Sequence, residues 1–215
     1  NKIFRSHILI NLRYLIKFLK FFFNTKKYSY FKIRKDYIKL IRYHFKIIRN
    51  IKKINLKKNF VLSALNLAFL GSYIEKDVKL YKELIHWPDG IFVKNISLSI
   101  KKIPGRDIIQ SIKIPEYINQ ITIFGNLPDL SKNYLKDKFK KKINHKILPY
   151  GNIKNIVKNL NYKIKEDEII FVTLPTPKQE QLSEYLVKKN KYFKIICIGG
   201  SINIASGLEK VVPKY

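Results

Sequence analysis

Residues 169–180 read IIFVTLPTPKQE, and this stretch decides the fold class. The apolar run Ile169 to Leu174 reads as a buried strand. It ends at Pro175, and Pro177 followed by Lys178, Gln179 and Glu180 fits a helix N-terminus with proline in the first turn. A strand that passes through a short turn into a helix is the unit from which parallel sheets are built. Working outward, Phe60 to Leu62, Ile91 to Val93, Ile121 to Phe124 and Ile195 to Ile198 read as further buried strands. Candidate helices lie at Ala68 to Glu83, Asp107 to Ser111, Leu130 to Lys142, Ile153 to Leu160 and Lys178 to Lys189. The order predicts an α/β domain with a mostly parallel sheet flanked by helices. In such sheets ligands gather outside the carboxyl ends of the strands, so the residues just after each strand are the candidate site.

Composition bounds the rest. With 46% hydrophobic and 27% charged residues in 215, the chain is neither disordered nor low-complexity and can bury a core. Its single cysteine, Cys197, excludes a disulfide framework and a cysteine-rich metal site, and inside an apolar run it reads as a small buried residue. No run approaches 18 apolar residues, so no ordinary transmembrane helix is expected. His7, His44, His86 and His145 lack metal-ligand spacing and read as structural or exposed; no metal or cofactor is expected. Glu166, Asp167 and Glu168 read as a solvated loop ahead of a strand.

The formal charge of +29 asks for an anionic partner such as nucleic acid, phosphorylated substrates or an anionic membrane face. Of the 44 basic residues 38 are Lys, in a chain rich in Ile and Asn, so part of the charge reads as compositional bias. Residues 1–58 hold 18 Lys or Arg and one acid, Asp36, a net +17. Within them Ile8, Leu12, Leu15, Leu19 and Phe22, then Ile38, Ile41, Phe45 and Ile48, recur at helical spacing. The segment is expected to be a basic, amphipathic pair of helices, packed on the domain or on a partner, lying on an anionic membrane or binding nucleic acid, ahead of an α/β domain over 59–215. The chain begins at Asn1 rather than Met and ends at Tyr215 inside a continuing pattern, which predicts truncation at the C-terminus.

Each strand-end segment is weak alone: Asp89-Gly90 is a common turn, Gly125 starts a helix as readily as it serves a site, and Gly199-Gly200 suits a tight turn or a phosphate. Their order and spacing carry more. The stretches LSALNLAFL (62–70), WPDGIFV (87–93), KIPGRDII (102–109), ITIFGNLPDL (121–130), IIFVTLPTPKQE (169–180) and IICIGGSINIASGLEKVVPKY (195–215) together resemble the WecG/TagA/CpsF family of glycosyltransferases, glycosyltransferase family 26. The resemblance implies a compact α/β fold and transfer of a sugar, of N-acetylmannosamine type, from a UDP-sugar to a lipid diphosphate-linked saccharide at the inner face of the cell membrane, without a metal-binding Asp-X-Asp motif. It places Asp89 on the catalytic base, since an inverting transfer needs one carboxylate to take the acceptor hydroxyl's proton. It places Asn66 and Gln179 as hydrogen-bonding residues and Arg106 on the diphosphate. Gly90 belongs to the same turn as Asp89, Gly125, Gly199 and Gly200 let backbone amides approach the donor, and Asn203 stands where the family often has Asp. The family's Thr two residues before the asparagine is Ala64 here, with Ser63 beside it.

Two competing readings follow from the residues: a basic nucleic-acid-binding protein on an α/β scaffold, and a degenerate homologue kept as a binding subunit. A homo-oligomer is left open.

Overall fold

The computed structural model describes residue 16 and residues 32–34, 37–40, 43–90 and 100–210. The expected strand Ile91 to Val93 and the first expected basic helix, apart from Ile16, lie outside them. Three short strands come first: β1 (Lys32–Arg34), β2 (Tyr37–Leu40) and β3 (Tyr43–Lys46). They form an antiparallel sheet in which Ile38 is opposite Phe45. The second expected basic helix is therefore corrected to strands. The deciding period is two: Phe45 and Ile47 are buried while Lys46 between them is exposed.

The domain alternates strand and helix: β4 (Phe60–Leu65), α1 (Leu67–Ile74), β5 (Leu84–Pro88), α2 (Gly105–Ser111), β6 (Gln120–Phe124) and α3 (Asp129–Phe139). It continues with β7 (Lys142–Lys146), α4 (Ile153–Val157), β8 (Glu168–Val172), α5 (Lys178–Lys189), β9 (Lys194–Cys197) and α6 (Ser201–Ala205). The six strands β4–β9 make one sheet in the order β5-β4-β9-β8-β6-β7, and every pair in it is parallel. The α/β expectation holds. Successive residues of each central strand enter opposite cores: Ile170, Val172 and Ile195 pack with α1, α4 and α5, whereas Ile169, Phe171 and Ile196 pack with α2, α3 and α6. Burial on both faces explains why these strands read as continuous apolar runs.

Edges are managed locally. Residues 47 and 48 run beside β5, with the Ile48 N–H donating to the His86 carbonyl at 2.8 Å. Phe45 stands edge-on to Phe69, Tyr73 and His86, and Ile51 and Leu56 are buried in the core on the other face. Phe45, Ile47, Ile51 and Leu56 thus pack into the α/β core.

Helix α1 is shorter than the expected Ala68 to Glu83, because Lys76 turns left-handed (φ 64°) and the chain returns as β5. Glu168 is no loop residue. It opens β8 fully buried and accepts from Gln120 Nε2 (3.0 Å), Tyr162 OH (2.6 Å), the Lys165 N–H (3.1 Å) and Thr122 Oγ1.

Helices α2 and α6 meet at Gly105, where an added Cβ would lie 2.2 Å from Ser201 Oγ and 2.9 Å from Ser201 Cβ. Gly105→Ala is expected to destabilise the fold by about 1–3 kcal/mol through overpacking. Gly200→Ala, with nothing within 4 Å of its Cβ position, should be near neutral. Guanidinium unfolding of both variants checks the pair; equal effects would contradict it.

Candidate functional site

A pocket of about 260 Å³ opens at the carboxyl ends of β5, β4, β9 and β8. Among the described residues four separate chain segments wall it. Ala64, Asn66 and Ala68 come from the β4–α1 turn, Trp87 and Asp89 from the end of β5, Leu174 to Thr176 and Gln179 from the β8–α5 turn, and Cys197 to Ser201 from the β9–α6 turn. It is smaller than the range of about 300–1,000 Å³ usual for ligand pockets, so a nucleotide sugar would fill it with one end only.

Asn66 is the N-cap of α1: its Oδ1 accepts the Phe69 N–H at 3.0 Å. Its Nδ2 has no partner among the described residues. The Asp89 N–H donates to the Leu65 carbonyl, which fixes the residue against the end of β4, and its Oδ1 accepts the Gly90 N–H at 2.7 Å. Burial pushes the Asp89 carboxyl up from its ordinary range, against the pull of the Gly90 N–H, Lys102 and Arg106. A raised carboxylate pKa makes a stronger base.

Gln179 is already occupied. Its Nε2 donates to Thr176 Oγ1 (3.0 Å) and Glu180 Oε1 (2.9 Å), and its Oε1 accepts the Gly199 N–H (3.2 Å). It shapes the wall of the pocket and has only one oxygen lone pair left to offer. The Gly199 amide is likewise shared between Gln179 and the Val172 carbonyl, so it does not wait for a phosphate. The Gly200 N–H and the Ser201 hydroxyl, which also line the pocket, have no partner among the described residues.

Beneath the pocket lies a residue that the sequence suggests only as a helix start. Glu180 is buried, and its Oε1 accepts Ser63 Oγ (2.7 Å), Gln179 Nε2 and Thr176 Oγ1 (3.3 Å), while Oε2 has no partner. Burial is the largest influence and pushes this carboxyl up. The one cue in the sequence is that Gln179, Glu180 and Ser183 share the inward stripe of α5 with Leu182 and Leu186. Ser63 does not replace the hydroxyl missing at Ala64. Neighbours on a strand face opposite ways, and Ser63 is spent on Glu180 while Ala64 lines the pocket.

Four expected site residues do not line the pocket. Gly90 adjoins it, holding Asp89. Arg106, about one-third exposed, pairs with Asp107 (3.5 Å) and reaches the site only through its field on Asp89. Gly125 has φ 119°, and a Cβ there would meet Thr173 Oγ1 at 2.5 Å; its N–H donates to Lys146 and its carbonyl meets His145 Nε2, so packing between strand ends explains the glycine. Asn203 accepts from Ser131 Oγ and donates to Glu209, each at 2.9 Å, and ties α6 to α3.

Cys197 is buried beside Ser183 Oγ (3.1 Å), and burial pushes its thiol well up, away from a nucleophile's range. Among the described residues no three His, Cys, Asp or Glu side chains cluster to hold a metal ion, and no helix is long and apolar enough to cross a membrane. Comparison with known families and with curated proteins found no match for this chain.

Proposed function

We propose that this chain is a metal-independent inverting glycosyltransferase that moves a sugar, of N-acetylmannosamine type, from a UDP-sugar to a polyprenyl diphosphate-linked saccharide, peripheral at the inner membrane face. One observation carries the reading. Five residues that the family resemblance implies, Asn66, Asp89, Gln179, Gly199 and Gly200, come from four separated segments and line one pocket at the strand ends.

In this reading the acceptor oxygen attacks C1 of the donor sugar, the bond from C1 to the UDP oxygen breaks, and the hydroxyl proton passes to Asp89. Asn66 Nδ2 and the Ser201 hydroxyl hold sugar hydroxyls. Glu180 and Gln179 keep the walls in register. UDP departs with the bonding electron pair, and its charge is met by the Gly200 N–H and by Lys102 and Arg106, whose fields already reach Asp89.

Calorimetric titration of UDP and several UDP-sugars in EDTA tests this. The intact chain should bind, and Arg106→Ala should weaken UDP by about three- to tenfold, since this partly exposed guanidinium acts on the pocket through its field. A folded chain that takes up none of them would refute the proposal.

A further inference from the structure

The two most exposed large apolar residues among those described, Ile147 (82%) and Tyr150 (90%), stand in one loop just past the edge strand β7. The loop holds them out by construction. Leu148 between them and Ile153 beyond them pack on the core, Ile156 of α4 is buried, and Asn152 caps α4 through the Asn155 N–H. Around the tip the charge is one-signed: residues 138–165 contain nine Lys and neither Asp nor Glu. Of these, Lys142, Lys146, Lys154 and Lys158 are exposed.

A rigid apolar tip in a lysine field has two requirements, an apolar layer to enter and anionic groups beside it. The boundary between headgroups and acyl chains of an anionic bilayer supplies both. Ile147 gives an aliphatic wedge for the acyl boundary, and Tyr150 is a side chain suited to the interface. The lysines are compact point charges suited to scattered headgroup phosphates.

We infer that the Ile147–Tyr150 loop with Lys142, Lys146, Lys154 and Lys158 is an anionic-lipid docking surface. Because all six strands are parallel, the loop projects from the same end of the sheet as the pocket. It lies two strand spacings, about 10 Å, from β8. Docking there turns the pocket mouth toward the lipid surface from which a lipid-linked acceptor would arrive. The inference rests on the membrane part of the proposed function and gives it a named surface.

The test is local, because the basic segment before residue 58 also attracts anionic lipid. Ile147→Cys in the full chain takes an environment-sensitive dye selectively, since Cys197 is buried. Lys113→Cys, exposed in the loop between α2 and β6, is the control. With phosphatidylcholine vesicles containing phosphatidylglycerol, the dye at 147 should shift to the blue and be quenched by spin-labelled lipid, while the dye at 113 should not. Ile147→Ser with Tyr150→Ser should lower partitioning about tenfold, and each Lys→Gln about fivefold.

Cosedimentation without a response at 147 would overturn this surface and leave the membrane reading standing. No cosedimentation would overturn both, and UDP binding would still report separately on the pocket. An oligonucleotide bound through the same four lysines, with no vesicle partitioning, would replace lipid by nucleic acid.

Discussion

Asp89→Asn is expected to lower single-turnover sugar transfer by about 10²–10⁴-fold, the usual contribution of a general base, while UDP binding stays within about twofold. Asparagine keeps the volume and can still accept the Gly90 N–H at Oδ1, so the turn at the end of β5 survives and only proton acceptance is lost. The same residue sets the pH dependence. Burial raises its pKa above the ordinary 3.8, so the acidic limb of the rate profile should lie above that value and vanish in the variant. A variant that transfers at the parental rate would remove Asp89 from the chemistry.

His86 carries the largest expected effect on stability. Its ring is fully buried against Phe69 (4.4 Å) and Phe45 (5.9 Å), neither nitrogen makes a well-formed hydrogen bond among the described residues, and burial lowers its pKa from 6.5 to about 3 against a smaller opposing pull from the Ser63 backbone. A depressed pKa means that the unfolded chain binds the proton first. The stabilising contribution is therefore complete above pH 6.5 and is lost as pH falls toward 3, reaching about 5 kcal/mol. Asp89 and Glu180, whose carboxyls are raised, work in the opposite sense, gaining stability as they take up protons. The difference between the parent and His86→Phe isolates the histidine. The variant should be more stable at pH 7 by about 1–3 kcal/mol, because two unpaired buried nitrogens are gone. Its advantage should widen on acidification. Unfolding curves at pH 7 and pH 4.5 that differ equally between the two proteins would contradict this.

The strands β4, β6, β8 and β9 were legible because both of their faces are buried and, after the opening Gln120, Glu168 and Lys194 of the last three, every position is apolar or small. The strands β5 and β7 were not, for a common reason. His86 interrupts β5, and Lys142, Asn144 and His145 give β7 the polar texture of a connection, although tertiary packing holds both as strands. Between residues 32 and 46 a helical spacing competed with a two-residue period, and pairing between short strands decided the outcome. Around the pocket, the resemblance pointed to Asn66, Asp89, Gln179 and the two glycines after β9, and all five line it. It could not find that Gln179 and Gly199 satisfy each other, nor that Asn203 is consumed by Ser131 and Glu209, because those pairings form only when the chain has folded. Glu180 escaped because an acid in the first turn of a helix is ordinarily solvated.

Trp87 is the only tryptophan of the chain, buried in the core at the wall of the pocket, so its emission responds to what enters that space. The most direct measurement is a titration of Trp87 fluorescence with UDP in the presence of EDTA. A saturable change that Arg106→Ala shifts to higher UDP would place the nucleotide where a UDP-sugar transferase needs it. Emission that stays constant to millimolar UDP, with no heat of binding from the folded chain, would contradict that function.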